Sequence, residues 1–299
     1  MKRVLKYLLI TVVVIGVLIG IAVALAVSLS ERKAQRKIEV NSPLVAYASG
    51  PEALAQGKYL FDSRGCGECH GGNGAGRVMI DSPNGLFVKT PNITPAGVVA
   101  QYTERDWERA IRHGIKPDGR PIFIMPSEDY NRLTDADLAA VVAYTRSLPS
   151  VDGGGAVVRR PLIINALYAA GEIRDAAEKI DHTLPPAKPV EVGVSVAHGA
   201  YVANTCIGCH GPGLSGGKIP GTPPSWPAAA NLTPGAGSVM PLYDSVDKFK
   251  AMMRTGKRPG GGEVSKVMPF ESLKAFNDVD LEALYAYLKT VPGRAAGSR

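Results

Sequence analysis

The sequence contains little cysteine and few aromatic side chains. Only four of its 299 residues are cysteines, and phenylalanine, tryptophan and tyrosine together make up 6%. Glycine and proline are abundant, with 34 and 23 residues. This scarcity of aromatic side chains excludes a large core built by the polypeptide alone and predicts small, loop-rich cores. The chain length allows about two domains.

A concentrated positive charge is lacking outside the N-terminus. The formal net charge is +7, but +5 of it falls within residues 1–40, which leaves +2 for the rest of the chain. An overall basic balance would otherwise suggest a nucleic-acid partner. The distribution of the charge therefore predicts no nucleic-acid-binding function.

All four cysteines lie in two copies of one pattern, C-x-x-C-H, at residues 66–70 and 206–210. This pattern is the signature of c-type haem attachment, because two thiols three residues apart reach two neighbouring vinyl groups and the following imidazole binds the iron. We therefore predict two covalently bound haem c groups. The predicted thioether residues are Cys66, Cys69, Cys206 and Cys209, and the predicted first iron ligands are His70 and His210.

A zinc site with four thiolate ligands, or a pair of disulfides, is the alternative interpretation of the cysteines. Zinc sites of this kind usually place their cysteine pairs about 15–20 residues apart. Here the two pairs are separated by 140 residues. The spacing therefore favours two independent haem sites.

Charge is absent from one long stretch near the N-terminus. Residues 7–28 are an apolar run of 22 residues, about 33 Å long as a helix. We predict an uncleaved membrane anchor, and the alternative is a signal peptide cleaved near residues 22–26. Basic residues flank both ends of the run, so charge alone does not orient it. Haem attachment occurs on the outer, oxidising side, which predicts a single-pass protein of the inner membrane with its haem domains in the periplasm.

The sequence around the first motif is repeated around the second. The motif, an Asn-x-Thr-Pro turn, a helix ending at glycine, a Met-Pro pair and a last helix recur in one order, offset by 139 to 143 residues. This pattern predicts the duplication of one haem-binding unit of about 100 residues. The predicted boundaries are an anchor at 1–30, a juxtamembrane tether at 31–51, a first domain at 52–150, a linker at 151–192, a second domain at 193–293 and a tail at 294–299.

Two helices of the first unit have the sequence signature of a capping box. Thr103 is followed three residues later by Asp106, and Thr134 is followed by Asp137. In such a box each of the two side chains bonds the other residue's backbone N–H. The first helix is expected to end at Gly114 and the second before Pro149.

A c-type iron needs a sixth ligand if it only transfers electrons, and methionine raises the potential and leaves no open position. Met125 and Met268 each precede a proline at matching positions of the two units. We predict these two residues as the sixth ligands. Met79 and Met240 are the alternatives, while Met252 and Met253 fall within a predicted helix and are expected to fill the core.

Other side chains near the motifs have more than one possible role. His113, His182 and His198 are candidate substitute ligands, although Thr255 stands at the position equivalent to His113. The Asn-x-Thr-Pro turns either bond a haem propionate or are ordinary loops. The aromatic residues that we expect to pack against the porphyrin are Trp107, Phe249, Tyr144 and Tyr287.

With both motifs, both Met-Pro pairs and both Asn-x-Thr-Pro turns, the chain resembles the membrane-anchored dihaem cytochromes c. It is especially similar to the cytochrome c subunits of periplasmic alcohol and gluconate dehydrogenases. The resemblance covers about residues 52–293 and implies an all-α fold, with an N-terminal transmembrane helix followed by two cytochrome c-like haem domains. In that family the methionine of the Met-Pro loop is the sixth ligand, which supports Met125 and Met268. Those dehydrogenase subunits carry three haems, whereas this chain has two motifs.

The functional hypothesis is a membrane-tethered dihaem c-type cytochrome. It would transfer single electrons between a periplasmic dehydrogenase or quinol-oxidising complex and a terminal oxidase or soluble cytochrome. The alternative is a dihaem redox enzyme of the peroxidase or thiosulfate dehydrogenase type, which requires an open or unusual axial position. Because both units offer a methionine at the equivalent site, an electron-transfer protein is predicted and not an enzyme. Its predicted partners are the membrane, through the N-terminal helix, and redox proteins.

Overall fold

A computed structural model describes residues 2–42 and 44–299 and shows a mainly helical chain. Helix α1 (Lys2–Gln35) leads into two helical domains joined by a segment that contains α7 (Leu162–Ala169). The helices of the first domain are α2 (Pro51–Ser63), α3 (Cys66–His70), α4 (Glu104–His113), α5 (Ser127–Tyr130) and α6 (Asp135–Ser147). Those of the second are α8 (Val196–Ala203), α9 (Ile207–His210), α10 (Val246–Thr255), α11 (Phe270–Leu273) and α12 (Asp278–Leu288). Short 3₁₀ turns occupy Ala177–Lys179, Asn204–Cys206 and Met240–Leu242.

Helix α1 contains the predicted apolar run and continues beyond it. Among the residues that the structure describes, it is the one helix long and apolar enough to cross a membrane. Its large apolar side chains are exposed over most of its length, from Val4 to Leu29. Such a surface is stable in lipid and is unusual for a helix in water.

Each domain is built on the same crossing of its first and last helices. Helix α2 packs across α6, and α8 packs across α12. A glycine lies at each contact, since a Cβ added to Gly57 would stand 2.0 Å from the carbonyl oxygen of Ala140, and one added to Gly199 would stand 1.9 Å from that of Ala283. The missing side chain therefore allows the helix backbones to approach closely.

The predicted capping box at the start of α4 is present. The Thr103 side chain accepts a hydrogen bond from the backbone N–H of Asp106, and the Asp106 carboxylate accepts one from the N–H of Thr103. The helix ends, as predicted, at Gly114, whose φ of 64° lies in the left-handed region. Gly256 ends α10 in the same way, with a φ of 70°.

The second predicted capping box is only half formed. The Thr134 side chain accepts a hydrogen bond from the N–H of Asp137 (3.1 Å), as predicted. The N–H of Thr134 instead donates to the hydroxyl of Tyr201 (3.2 Å), and the Asp137 carboxylate accepts from Tyr201 and Gln56. A side chain of the second domain has therefore replaced the reciprocal half of the box.

A small three-stranded sheet was not predicted, although the chain remains mainly helical. Its strands are β1 (Val78–Asp81), β2 (Phe87–Lys89) and β3 (Val157–Arg159), paired antiparallel in the order β1-β2-β3. Strand β3 comes from the predicted linker, and its pairing with β2 fastens that part of the linker to the first domain.

The segment between α1 and α2 packs along the first domain. The N–H of Ile38 donates to the carbonyl of Gly119 (2.9 Å), and the hydroxyl of Tyr47 donates to the carbonyl of Tyr102 (3.0 Å). Val45 is buried and belongs to the hydrophobic core of the first domain. These contacts fix the first domain close to the end of α1.

Candidate haem sites

The four cysteines occupy short helices at equivalent positions of the two domains. Cys66 and Cys69 lie in α3, while Cys206 and Cys209 span the 3₁₀ turn and α9. No disulfide joins any two of these four cysteines. Burial raises the pKa of Cys66 and of Cys206 to about 12. Cys66 and Cys206 therefore lie beside the apolar interiors of the first and second domain, respectively.

The two cysteine pairs do not converge on one site. Within residues 2–42 and 44–299, no group of three or more histidine, cysteine or acidic side chains is arranged to hold a metal ion. Cys66 packs against the core of the first domain and Cys206 against that of the second. The geometry therefore gives two separate sites, one in each domain.

Hydrogen bonds to backbone carbonyls orient the two motif histidines. Nδ1 of His70 lies 3.1 Å from the carbonyl oxygen of Pro91, and Nδ1 of His210 lies 2.8 Å from that of Ala230. Because a carbonyl only accepts, Nδ1 must carry the proton, and Nε2 keeps a free lone pair. Burial lowers the pKa of both imidazoles and so favours the neutral form that binds iron. Orientation of a ligating histidine through its second nitrogen is usual at metal sites.

The carbonyl that aims each histidine directly precedes an Asn-x-Thr-Pro turn. Asn92 is fully buried, and its side chain donates to the carbonyl of Val151 (2.7 Å) and accepts from the N–H of Thr94 (2.8 Å). Asn231 makes the matching bonds, to the carbonyl of Arg294 and from the N–H of Thr233. Both asparagine side chains are thus engaged with the backbone, which favours the structural alternative over bonding to a propionate.

The two predicted methionine ligands occupy the same place in their domains. Met125 and Pro126 lead directly into α5, and Met268 and Pro269 lead directly into α11. Both methionines are half-buried, and Met268 packs against the core of the second domain.

The other methionines are placed differently. Met79 is 39% exposed on β1. Met240, Met252 and Met253 are buried in the core of the second domain, where the sequence predicts Met252 and Met253. Met240 therefore lies among the core side chains of the second domain together with Met252 and Met253.

The three remaining histidines have polar partners of their own. Nδ1 of His113 lies 2.9 Å from Nδ1 of His182, and Nε2 of His113 lies 3.2 Å from Glu108. Nε2 of His198 lies 2.7 Å from the carboxylate of Asp280. These contacts account for all three without a role at the iron.

The predicted aromatic residues line both cores. Trp107 and Phe249 are buried in the first and second core, respectively. The Tyr144 ring meets Phe61 edge to face, with centroids 5.4 Å apart, and Tyr287 packs against the second core. Each domain therefore offers the apolar surroundings that a haem requires.

Reciprocal hydrogen bonds join the two domains, which the sequence did not reveal. The hydroxyl of Tyr59 donates to Asp280 (2.6 Å), and the hydroxyl of Tyr201 donates to Asp137. The two tyrosines are equivalent, because each lies two residues after the glycine of its helix crossing. The interface therefore has an approximate two-fold arrangement.

Each haem-attachment motif is part of this interface. The Glu68 carboxylate, inside the first motif, accepts from the N–H of Ser272 in α11 (2.7 Å). The N–H of Gly208, inside the second motif, donates to Asp129 in α5 (2.7 Å). Burial and the nearby charge of Glu128 raise the pKa of Asp129 well above its usual value. Each motif thus contacts the short helix that follows the Met-Pro pair of the other domain.

Comparison with protein families identifies both domains. Residues 52–144 match the family model described as cytochrome c oxidase, cbb3-type, subunit III, and residues 196–292 match the model described as cytochrome c. The two cytochrome c domains, each with one C-x-x-C-H motif, fit two covalently bound haem c groups.

Similar proteins occur among cytochrome subunits of larger assemblies. The fructose dehydrogenase cytochrome subunit of Gluconobacter japonicus is 28% identical over 291 residues, which cover 87% of this chain and 56% of that protein. The cytochrome c subunit of the quinone alcohol dehydrogenase of Gluconobacter oxydans (strain 621H) is 27% identical over 281 residues, covering 82% and 56%. A cbb3-type cytochrome c oxidase subunit CcoP of Helicobacter pylori (strain 52) is 28% identical over 108 residues, covering 36% and 32%.

The chain thus spans a little over half the length of the two dehydrogenase subunits. Both alignments extend over more than four fifths of the chain and therefore include both domains. The chain carries two cytochrome c domains, and it is homologous to the cytochrome c subunits of fructose and alcohol dehydrogenases.

Proposed function

We propose that this protein is a membrane-tethered dihaem cytochrome c that passes single electrons between two redox partners. The observation that carries the proposal is the duplication of the site. In each domain a half-buried motif histidine is oriented by a hydrogen bond to the carbonyl that precedes an Asn-x-Thr-Pro turn. One complete site in each domain is what a two-step electron carrier requires.

Each group of residues has a defined task in the proposal. The thiols of Cys66 and Cys69, and those of Cys206 and Cys209, would hold the two haems through thioether bonds. His70 and His210 would bind iron through Nε2, and Met125 and Met268 would supply the second protein ligand of each iron. Haem c supplies a one-electron Fe(III)/Fe(II) couple when bound. The protein would contribute a fixed orientation of the ligands and an apolar enclosure for the group.

The domain interface supports transfer within the molecule. Glu68 and Gly208 belong to the two motifs and bond the opposite domain at 2.7 Å in both cases. Reciprocal bonds of this kind hold the two sites in one fixed relation without the need for a flexible linker. In the proposal, electrons enter through one domain and leave through the other.

The partners proposed for the chain follow from its relatives. We propose a periplasmic dehydrogenase or quinol-oxidising complex as the donor, since the relatives aligned over most of the chain are named as dehydrogenase subunits. A terminal oxidase or soluble cytochrome is the proposed acceptor, and the similarity of part of the chain to a cbb3-type oxidase subunit supports it.

We further propose that residues 1–30 remain as an uncleaved anchor and that the domains at 52–150 and 193–293 lie on the periplasmic side. Cleavage after Ala24 would remove the half-buried Val23, and cleavage after Ala26 would remove the half-buried Ala26 as well. Helix α1 also continues through that region without interruption and contacts α7. Both observations support retention of the helix.

A redox titration of methionine variants tests the proposed ligands. Met125→Leu should lower the midpoint potential of one haem and leave the other unchanged, and Met268→Leu should do the reverse. The identity of the axial ligands sets haem midpoint potentials over a range of roughly 0.8 V, so the loss of a methionine ligand should give a shift that the titration resolves. Met79→Leu and Met240→Leu are the matched controls and should leave both potentials close to those of the original protein.

An unchanged titration of Met125→Leu or Met268→Leu would exclude that residue as a ligand. A shift in a control variant would instead identify the control methionine as the ligand. A haem that binds carbon monoxide in the unaltered protein would have an open axial position, which would favour a dihaem redox enzyme.

A further inference from the structure

We propose that α7 is a second membrane contact, with Leu162 and Ile163 inserted into the outer leaflet beside the end of α1. This inference rests on the proposed anchor, because it requires α1 to cross the bilayer. In this arrangement α7 lies at the lipid surface, and the linker that contains it binds the membrane as well as joining the two domains.

The position of α7 relative to α1 follows from two hydrogen bonds. The Ser30 hydroxyl donates to the side-chain oxygen of Asn165 (2.7 Å), and Nζ of Lys33 donates to the carbonyl of Tyr168 (2.8 Å). Each pair advances three residues along both helices, so the helices run side by side in the same direction. At 1.5 Å per residue, Leu162 lies about 4.5 Å before Asn165 along the axis, level with Val27.

Burial along α1 shows that this contact reaches into the apolar run. Val23 and Ala26 are half-buried and Ser30 is fully buried, whereas the residues between them are exposed. The spacing of three and four residues places these three on one face of the helix. Because the apolar run extends to Ser28, the covered part of α1 includes its last two turns within the membrane.

The chemistry of α7 suits this position. Its sequence, LIINALYA, carries no charge. Ile164 and Tyr168 are buried, while Leu162 and Ile163 are 46% and 57% exposed. Two large aliphatic side chains at the start of an uncharged helix, level with the end of a membrane-spanning helix, are placed to enter lipid and not water.

Charged side chains lie directly beyond Ser28, where the apolar run of α1 ends. Arg160, which precedes the helix, pairs with Glu31 at 3.1 Å, and its guanidinium lies 5.3 Å from the centroid of the Tyr168 ring. Arg36 pairs with Asp175 at 2.6 Å. Arginine and tyrosine are the side chains that mark the headgroup region of membrane proteins. The continuity of this surface with α1 favours lipid as its occupant.

Thiol accessibility in the full-length holoprotein tests the proposal. Haem attachment consumes the four native cysteines, so Ile163→Cys introduces the single free thiol. The protein is reconstituted in vesicles of phospholipid alone and treated with a membrane-impermeant maleimide, before and after addition of a denaturing detergent. Ile15→Cys, in the apolar run, and Leu242→Cys, 46% exposed on the second domain, are the controls.

We expect the maleimide to modify Leu242→Cys readily and to modify Ile163→Cys at least about tenfold more slowly, as for Ile15→Cys, until detergent is added. Equal reaction at positions 163 and 242 with continued protection at 15 would overturn the inference and leave the anchor intact. Reaction at all three positions would contradict the anchor itself. Protection at 163 that disappears as the lipid-to-protein ratio rises would overturn the inference in favour of a second copy of the chain.

Discussion

The ion pair between Arg64 and Asp280 joins the two domains and gives the sharpest prediction of stability. Nη2 of Arg64 lies 2.6 Å from the Asp280 carboxylate, and both side chains are almost fully buried. Asp280 also accepts from Tyr59 (2.6 Å) and lies 2.7 Å from Nε2 of His198. Asp280→Asn keeps the size of the side chain and removes its charge, which leaves the Arg64 cation buried without a counter-ion.

The expected loss in the free energy of unfolding follows from the burial of this ion pair. Removing one partner of a buried ion pair costs about 3–5 kcal/mol. Asp137 occupies the position equivalent to Asp280 and bonds Tyr201 and Gln56 without an arginine. Asp137→Asn should therefore cost only about 1 kcal/mol, the value of a weakened hydrogen bond. The two equivalent substitutions should differ by at least about 2 kcal/mol in the free energy of unfolding.

The same interface should weaken in acid. Burial acts to raise the pKa of Asp280, but the charge of Arg64 and the hydrogen bonds from Arg64, Tyr59 and His198 outweigh it, so the pKa lies below its usual value. A carboxylate with a lowered pKa in the folded state contributes stability above its unfolded pKa and loses it as the pH falls through the folded value. The contribution of Asp280 should be complete at neutral pH and decline below about pH 4.

Urea unfolding of the holoprotein at neutral pH, followed by circular dichroism, measures the difference. Asp137→Asn is the matched control, and Arg64→Met combined with Asp280→Asn is the rescue variant. Replacing both partners of a buried pair with uncharged side chains is often close to neutral. Equal losses for Asp280→Asn and Asp137→Asn, or a double variant no more stable than Asp280→Asn, would refute the reasoning.

Two further substitutions test the packing and the linker. Gly199→Ala should lower the free energy of unfolding by about 2–3 kcal/mol, because its Cβ would stand 1.9 Å from the carbonyl oxygen of Ala283. Gly154→Ala, with no atom within 4 Å of the added Cβ, is the control, and equal losses would contradict the close helix crossing. Burial and the charge of His113 lower the pKa of His182, so the docking of residues 177–182 should weaken as the pH falls below about 6.5, measured by hydrogen exchange. His182→Gln should remove this pH dependence, and exchange that is independent of pH in the unaltered protein would contradict it.

Much of the fold could be predicted from local sequence. The helix α4 has its capping box and terminal glycine within the helix and its immediate flanks. The two C-x-x-C-H motifs and the repeated order of features predict two equivalent domains without tertiary information. Local signals of this kind are readable because the interacting groups lie within a few residues of one another.

The features that could not be predicted depend on contacts between distant segments. Thr134 and Asp137 have the signature of a capping box, but Tyr201 of the second domain displaces half of it. Strand β3 has three exposed residues with no alternation of burial, so its pairing with β2 left no pattern in the sequence. Likewise, the carbonyl of Pro91 that aims His70 is a backbone group, which a sequence does not distinguish from any other.

The optical spectrum of the oxidised, purified protein tests the central claim most directly. Two histidine–methionine irons in one chain should both be low-spin and should show a methionine-to-iron charge-transfer band with the intensity of two haems. Neither haem should bind carbon monoxide after reduction. A high-spin signal, or a charge-transfer band with the intensity of only one haem, would contradict the account of two closed sites that carry electrons.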